Sequence, residues 1–443
     1  MRRHFTYILA VFMAISALFA SCAKEGYQGG ESSLMQSEIV AALDSDSLAV
    51  QQLAVEVASA MGIQDGGVGQ PLGDRTVSEV IPIQLNGEAI RTAGYSPEAV
   101  PAFFAVNYAP GGYSIVSSAH GESSLWAFFP DGQFSLQKMA ECPPLCLLME
   151  RAVEMSVVDP PRRGHKPREI GDEEDFPKFE RYIYKYGPLQ KTSANIGPLI
   201  PVVWGQEHPY NLLVAPYPAG CVATAVAQIL IYYRKPANCN WHVMRHHHPM
   251  KWPRQDWPEA YTEISKIFYT LGQMLHMHYS MEGSGADSRR IPQVLRDLGF
   301  ESGGAVVDMD ESDLMSEIEA CYPVIVTGYS HCTTRKRGFW PIEWEETEYS
   351  GGHAFVVDGK CKFRNKVSKI DVVTGEEVSS FYVYSELVHA NLGWDSPAYN
   401  GYYNRNIFDT KKIPRSDTTR FGLSSGQDGV YQYNLTVVEG IRP

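Results

Sequence analysis

Apolar positions with helical spacing fall into two parts of the chain. One helix is predicted over 44–61, where acidic residues precede an apolar run with a period of 3.6 residues. A second helix is predicted to begin at Cys221, because apolar side chains cover most of its circumference through residue 233. Helical spacing continues over 261–279 and 291–298. The helix that begins at Cys221 is therefore expected to be buried.

Strand-like runs occupy the rest of the patterned sequence. Turn residues at 109–112 separate two apolar runs and predict a hairpin, and 130–132 predict a second hairpin between 125–129 and 133–136. Later strand-like runs lie at 324–327, 354–357, 370–373, 381–384 and 432–438. Since helices precede strands in this larger part, we expect an α+β fold with segregated halves.

Composition divides the chain into five segments. They are a signal peptide at 1–22, a tether at 23–42, a small α+β domain at 43–158, a linker at 159–190 and a larger domain at 191–443. The linker contains several prolines and a basic run followed by an acidic run, so it cannot bury enough apolar surface to order itself well. Proteases cut such exposed segments most readily.

The first 22 residues are typical of an export signal. Two arginines precede a short apolar run, and small residues precede Cys22. The run is too short to span a bilayer comfortably, so cleavage is expected. The segment resembles a bacterial lipoprotein signal, in which Cys22 becomes the lipidated first residue; an ordinary secretory signal is the alternative. We expect a protein of the cell envelope, held by lipid at the outer membrane or cell surface, or secreted after maturation.

Charge and cysteine content narrow the possible partners. The formal net charge of −13 argues against a nucleic-acid partner, because no broad basic face is available. Of the eight cysteines, seven are left when the lipidation candidate Cys22 is set aside. Because seven is an odd number, at least one thiol is unpaired even in an oxidising compartment. No metal site and no organic cofactor is implied.

Cys221 is the cysteine placed for chemistry. It follows Gly220 and opens the predicted helix, where unpaired N–H groups and the positive end of the helix favour a thiolate. A thiolate is the nucleophile of cysteine hydrolases. The alternative is a buried structural cysteine, which is the commoner case for a cysteine taken alone.

Three polar residues can act with this cysteine. His353 starts a very apolar strand after two glycines and lies 132 residues after Cys221 (353 − 221), a separation typical of papain-like enzymes. Asn391 follows and can orient an imidazole as a neutral third member. Gln206 lies 15 residues before Cys221 (221 − 206), and its amide can donate to an oxyanion. Each alone is more often structural, but their order together predicts a catalytic set.

These segments resemble the streptopain family of cysteine peptidases. Residues 204–211 look like its Gln-x-x-Pro-Tyr-Asn segment, 220–229 its nucleophile helix, 351–356 its histidine strand and 437–443 the end of its catalytic domain. The resemblance implies a papain-like catalytic domain over 191–443. It also implies that the domain at 43–158 is a propeptide that inhibits the enzyme within the same chain.

The substrate cleft is placed by the same resemblance. Ser284 and Gly285 belong to a Gly-rich loop that is expected to line the cleft. Gly352 is expected beside it, because a glycine before the histidine lets another group approach the backbone. Trp394 keeps the second indole of the family's Asn-Trp-Gly-Trp and completes the expected substrate-binding residues.

Two features depart from the family pattern. Leu392 stands where the family has the indole that helps to shield the His–Asn hydrogen bond. The 38 residues from His353 to Asn391 (391 − 353) suggest an inserted hairpin around 372–376. These departures affect expected efficiency and pocket shape more than the type of reaction.

The sequence therefore predicts a lipid-anchored cysteine endopeptidase that is made as a zymogen and acts on proteins or peptides. Two alternatives remain open at this point. One is a thiol amidase on the same scaffold that does not cleave peptides, since the nucleophile does not distinguish peptide bonds from other amides. The other is a surface binding or inhibitory protein with a degenerate active site.

Overall fold

The computed structural model describes residues 76–83, 103–117, 125–135, 182–187, 190–192, 195–245, 258–281, 283–339, 342–408 and 433–443, with isolated positions between 138 and 152. The predicted signal peptide with Cys22, the tether, the helix over 44–61 and most of the linker lie outside these residues. No helix in the described part of the chain is long and apolar enough to cross a membrane.

The helices cluster in the first half of the larger domain. They are α1 (Cys221–Tyr233), α2 (Trp241–Arg245), α3 (Pro258–Met274), α4 (Ile291–Asp297) and, among the strands, α5 (Glu311–Glu319). Helix α1 is buried at every position over 221–231, as its apolar circumference predicts. It therefore forms the centre of this half rather than a surface element.

Strands account for most of the described residues of the N-terminal unit (43–158) and of the chain after α4. They are β1 (Thr76–Ile83), β2 (Phe103–Ala109), β3 (Tyr113–Ser117), β4 (Leu125–Phe129), β5 (Tyr182–Tyr186), β6 (Gln190–Lys191), β7 (Ser302–Asp308), β8 (Val324–Phe339), β9 (Ile342–Asp371), β10 (Glu377–Asn391), β11 (Gly401–Asn404) and β12 (Tyr433–Arg442). The mixture of early helices and later strands confirms the α+β class.

One antiparallel sheet runs through both units in the order β1-β2-β3-β4-β11-β10-β9-β8-β12-β7, with β5 and β6 added on β9. The junction is β4 with β11, where Phe128 pairs with Tyr402 and Ala127 with Tyr403. The N-terminal unit thus extends the sheet of the larger domain at an edge beside β10, the strand that ends at Asn391.

The first predicted hairpin is confirmed and the second is wrong. Strands β2 and β3 pair around the turn at 109–112. Among the described residues 133–135, however, there is no strand, and β4 pairs with β3 and β11 instead. The side chain of Asn107 explains the difference, because it accepts from the N–H of Phe134 at 2.7 Å and donates to its carbonyl at 3.1 Å. The backbone there is satisfied without a partner strand.

The structure also describes the end of the predicted linker and the predicted inserted hairpin. The end of the linker range forms β5 and β6, which pair with β9, so these residues are part of the sheet. The hairpin expected around 372–376 is the turn between β9 and β10, where Asp371 accepts backbone N–H groups from Val373 and Thr374.

The buried side chains form two cores that matter for the site. The cysteine-side core contains Cys221, Val226, Leu230 and Phe268, and all of its members lie within 200–441. The shared core joins residues of 103–152, such as Phe129, to residues of 309–437, such as Leu392. The N-terminal unit and the larger domain therefore bury apolar surface against each other.

Candidate active site

Gly220 fixes where α1 begins. Its φ of 93° lies in the region that favours glycine. A Cβ atom at this position would lie 2.8 Å from the Met277 sulfur and 3.0 Å from the Ser284 carbonyl oxygen. The chain can therefore enter the helix here only with a glycine, which places Cys221 at the first helical position, against the loop that carries Ser284.

The Cys221 thiol is subject to two opposing effects. Hydrogen bonds from the backbone of Ala354 and Val222 and from its own backbone lower its pKa, as the position at a helix start predicts. Burial acts the other way and is the larger effect, so the pKa of Cys221 is raised. The thiolate expected from the sequence is therefore disfavoured at this buried position.

The same hydrogen bond brings the cysteine and the histidine segments together. Ala354, whose backbone reaches the Cys221 thiol, follows His353 directly on β9. Strand pairing sets this register, since His353 lies opposite Gly328 of β8. The first turn of α1 and the start of the apolar part of β9 thus meet at one point.

The imidazole of His353 is held by a backbone carbonyl. Its Nε2 atom lies 3.0 Å from the carbonyl oxygen of Leu392. A carbonyl only accepts, so Nε2 carries the hydrogen and Nδ1 is left as the basic nitrogen. Burial lowers the pKa of His353 to about 4, and the bond to Leu392 opposes this in part. The resting imidazole is therefore neutral, with Nδ1 as its basic nitrogen.

Asn391 lies beside this contact but makes other hydrogen bonds. Its Nδ2 donates to the Val202 carbonyl at 2.8 Å, and its Oδ1 accepts from Gln228 Nε2 at 2.9 Å and from the Gly393 N–H at 3.3 Å. The sequence predicted that the Asn391 side chain orients the imidazole, but the hydrogen bond to His353 Nε2 involves the backbone carbonyl of Leu392 instead. The Gly393 N–H donates to Asn391 Oδ1 and closes a short turn at 391–393, which directs the Leu392 carbonyl toward the imidazole.

Gln206 lies in the segment before α1. Its carbonyl accepts the Ala219 N–H at 2.8 Å, which holds it against the turn that leads into the helix. The preceding residue, Gly205, accepts from Thr224 of α1 at 3.1 Å. The half-buried side chain of Gln206 is therefore kept close to the start of α1, where an oxyanion donor is required.

The four predicted substrate-binding residues lie around the start of α1 and His353. Ser284 is buried against Gly220, and Gly285 pairs with His278 and leaves open space where a side chain would be. Gly352 packs against the Tyr329 ring, which a Cβ would meet at 2.9 Å. The indole of Trp394 lies edge-on to the His353 ring at 5.7 Å between centroids.

Sequence reasoning missed three contributors. The Leu392 carbonyl has no sequence mark because it belongs to the backbone. Asn400, whose Oδ1 accepts the Leu392 N–H at 3.0 Å, lies in an ordinary loop sequence. Gln228 did carry a signal, since it and Thr224 are polar residues four positions apart on a helix that is otherwise apolar over 221–231. The described residues contain no group of three or more metal-ligating side chains.

Three comparisons with known proteins were made for this chain. The sequence profile of the Peptidase C10 family matches residues 204–403, a span that includes Gln206, Cys221, His353 and Asn391. No curated protein matches the chain. A solved structure of a Prevotella intermedia prointerpain A fragment is 16% identical, with a TM-score of 0.48, over 82% of this chain and 99% of that one. The family match supports a cysteine-type peptidase.

Proposed function

We propose that the protein is an exported, lipid-anchored cysteine endopeptidase that is made as a zymogen. The observation that carries the proposal is the hydrogen bond from His353 Nε2 to the Leu392 carbonyl beside the start of α1. Because Nε2 carries the hydrogen, Nδ1 is unprotonated. The residue after His353, Ala354, contacts the Cys221 thiol through its backbone. A thiol and a basic nitrogen placed in this way form the pair that a cysteine hydrolase requires.

The proposed reaction begins with proton transfer. His353 Nδ1 takes the proton of Cys221 Sγ as the sulfur bonds to the carbonyl carbon of the peptide. The imidazolium that forms is stabilised through Nε2–H by the Leu392 carbonyl, a charge-assisted hydrogen bond. The carbonyl oxygen becomes an oxyanion, for which the Gln206 amide and the Cys221 N–H are the proposed donors.

The second half returns the enzyme to its starting state. The imidazolium gives its proton to the leaving amine as the C–N bond breaks, which leaves a thioester on Cys221. Water then attacks this thioester, His353 takes a proton from the water, and the thiolate leaves and is reprotonated. Each proton that His353 accepts is passed on, so no cofactor is needed.

The zymogen part of the proposal rests on the contacts of the N-terminal unit on the histidine side of the site. His353 is 7% exposed, and Leu392, whose carbonyl holds the imidazole, lies in the shared core to which the N-terminal unit contributes. The N-terminal unit extends the sheet at β11, next to the loop that carries Leu392 and Trp394. We propose that cleavage within 159–190 separates the propeptide, as the composition of that segment suggests. The lipid anchor at Cys22 is proposed from the signal sequence alone.

Cys221→Ala tests the proposal. The full chain carrying this change is expected neither to hydrolyse denatured protein nor to mature itself, because both steps use one nucleophile. Cys321→Ala, which changes an exposed free cysteine, is the matched control and is expected to behave as the wild type. Hydrolysis by the Cys221→Ala protein at the wild-type rate would reject the assignment. A thiol amidase would be identified by hydrolysis of small amides without cleavage of a peptide library.

A further inference from the structure

Gln228 connects the three segments of the proposed site. It lies on α1, seven residues after Cys221 (228 − 221), and is completely buried. Its Nε2 donates to Asn391 Oδ1 at 2.9 Å and lies 3.4 Å from the Trp204 carbonyl. One amide group therefore joins the nucleophile helix to the end of β10 and to the segment that leads to Gln206.

The bond to Asn391 determines how that side chain is oriented. With Oδ1 held by Gln228, the Asn391 amide nitrogen faces the Val202 carbonyl, to which it donates at 2.8 Å. The same Oδ1 accepts the Gly393 N–H, which closes the turn around Leu392. A reversed amide would place two donors or two acceptors together at these contacts.

We propose that Gln228 is a positioning residue for catalysis, which holds Asn391 so that the Leu392 carbonyl faces His353 Nε2. The inference rests on the proposed function, because it concerns the imidazole of the same site. Gln228 itself touches neither the substrate nor the reacting atoms in this account. It acts through Asn391 and the backbone.

The chemistry of this position favours an orienting role over simple packing. Residues 221–231 of α1 are buried, and the Gln228 Oε1 atom has no hydrogen-bond partner among the described residues. A buried polar atom without a partner costs free energy that an apolar side chain would not. Packing alone would be served better by leucine or methionine, so the donated hydrogen bond is what glutamine adds.

The expected effect on His353 follows from the groups around it. Cys221 on α1 is the titratable neighbour, and the rings of Phe355 and Trp394 that pack on the imidazole carry no charge. Asp395, in the loop after Trp394, accepts a hydrogen bond from Tyr210. Since the Leu392 bond raises the pKa of His353, losing its alignment is expected to lower that pKa further. The acidic limb of the pH–rate profile, which reports protonation of the neutral imidazole that acts as the base, then moves to lower pH.

Gln228→Met is the direct test, because methionine has similar size and cannot donate. We expect kcat to fall by about 10- to 100-fold, by analogy with the range for groups that orient metal-ligating histidines, with little change in KM. Tyr232→Phe is the control, since it removes a 3.1 Å hydrogen bond to the Cys321 carbonyl at the other end of the same helix. The control is expected to keep the wild-type kcat and pH profile.

Two further variants separate positioning from a general loss of stability. Gln228→Leu also lacks a donor and suits the apolar surroundings, so the same loss is expected even if the methionine variant folds poorly. Asn391→Ala combined with Gln228→Met is expected to be no worse than Asn391→Ala alone, because both act through one carbonyl. Fully additive losses, or an unchanged pH profile in both Gln228 variants, would overturn the proposal.

An NMR titration of the histidine side chains tests the same inference without relying on activity. The His353 signal, identified by its loss in His353→Gln, is expected to titrate at lower pH in Gln228→Met than in the wild type and in Tyr232→Phe. An unchanged titration would overturn the positioning role even in an active enzyme. A changed titration in a protein that hydrolyses no peptide would instead retain the positioning role and reject the peptidase.

Discussion

Cys221 lies in a core built entirely from residues 200–441, whereas Leu392, which holds the imidazole of His353, lies in a core to which residues 103–152 also contribute. The two halves of one site thus depend on different parts of the chain. The nucleophile helix is supported by the larger domain alone. The histidine side is supported partly by the N-terminal unit, so events in that unit can reach the imidazole without moving the cysteine.

Contacts between the N-terminal unit and the loop after β10 give this difference a physical route. The Tyr113 hydroxyl donates to the Ala398 carbonyl at 3.1 Å, and the Phe129 ring fills the space where a side chain at Gly401 would be. Asn400, between these contacts, holds the Leu392 N–H. Separation of the N-terminal unit would remove the first two contacts and leave the third.

Loss of the imidazole is expected to have the largest effect on activity. His353→Ala removes the base while the cysteine-side core remains intact, so hydrolysis is expected to fall by about four orders of magnitude or more. The fold should persist, because the cysteine-side core contains neither His353 nor Leu392, whose carbonyl holds the imidazole. Rates with a fluorogenic peptide and a thermal unfolding scan would check both points. Retention of a tenth of the wild-type rate would contradict the role of His353.

Two phenylalanine truncations separate the two cores. Phe268→Ala in the cysteine-side core and Phe129→Ala in the shared core each remove a completely buried ring and are expected to cost about 3–5 kcal/mol. Phe268→Ala should destabilise both the full chain and the matured enzyme. Phe129→Ala should affect only the full chain, because residue 129 belongs to the proposed propeptide.

Denaturant unfolding of both forms measures this pair of effects. A matured enzyme whose stability depends on residue 129 would mean that the N-terminal unit remains attached after cleavage. Equal effects of both changes on both forms would remove the distinction between the two cores.

The acidic side of the stability profile is expected to depend on His353. Its ordinary pKa is 6.5 and burial lowers it to about 4, so between these values the unfolded chain binds a proton that the folded chain does not. The free energy of unfolding should therefore decrease as the pH falls from 6.5 to 4, by up to about 3 kcal/mol from this group. His353→Gln should show a smaller decrease over the same range. An identical decrease in both proteins would exclude burial of a neutral imidazole.

Leu392→Trp is expected to have the smallest effect on catalysis. The leucine side chain is completely buried in the shared core, so the larger indole is expected to cost about 1–3 kcal/mol of stability through overpacking. The imidazole is held by the backbone carbonyl rather than by this side chain, so the pH–rate profile should keep its width. A wider profile or a faster turnover would support a shielding role for the indole that the family pattern has here.

The sequence was most informative where one local pattern determines one element. The apolar circumference over 221–233 predicted a buried helix that begins at Cys221, as the structure shows. The apolar run after His353 predicted a strand, which is part of β9. In each case the deciding interactions are close in sequence or depend on burial alone.

The remaining features depend on contacts between distant segments. Nothing in the apolar run at 125–129 indicates that β4 pairs with β11 rather than with a strand after 132. The imidazole of His353 is held by the Leu392 carbonyl rather than by the Asn391 amide because of a turn of three residues. A backbone acceptor cannot be recognised from the type of residue at that position. Gln228 could have been found, because a polar residue on an otherwise apolar buried helix requires a partner.

Labelling with a thiol-directed peptidyl electrophile tests the central claim most directly, because it requires a nucleophilic sulfur, a nearby base and a cleft that accepts a peptide. The matured enzyme is expected to form one adduct, located on Cys221 by mass spectrometry, and the His353→Ala protein is expected to react at the much slower rate of an ordinary thiol. In the full chain labelling is expected to be slower than in the matured enzyme, because the N-terminal unit contributes to the core that contains Leu392, whose carbonyl holds the imidazole. Adducts spread over several cysteines, or a rate on Cys221 that does not depend on His353, would contradict the account.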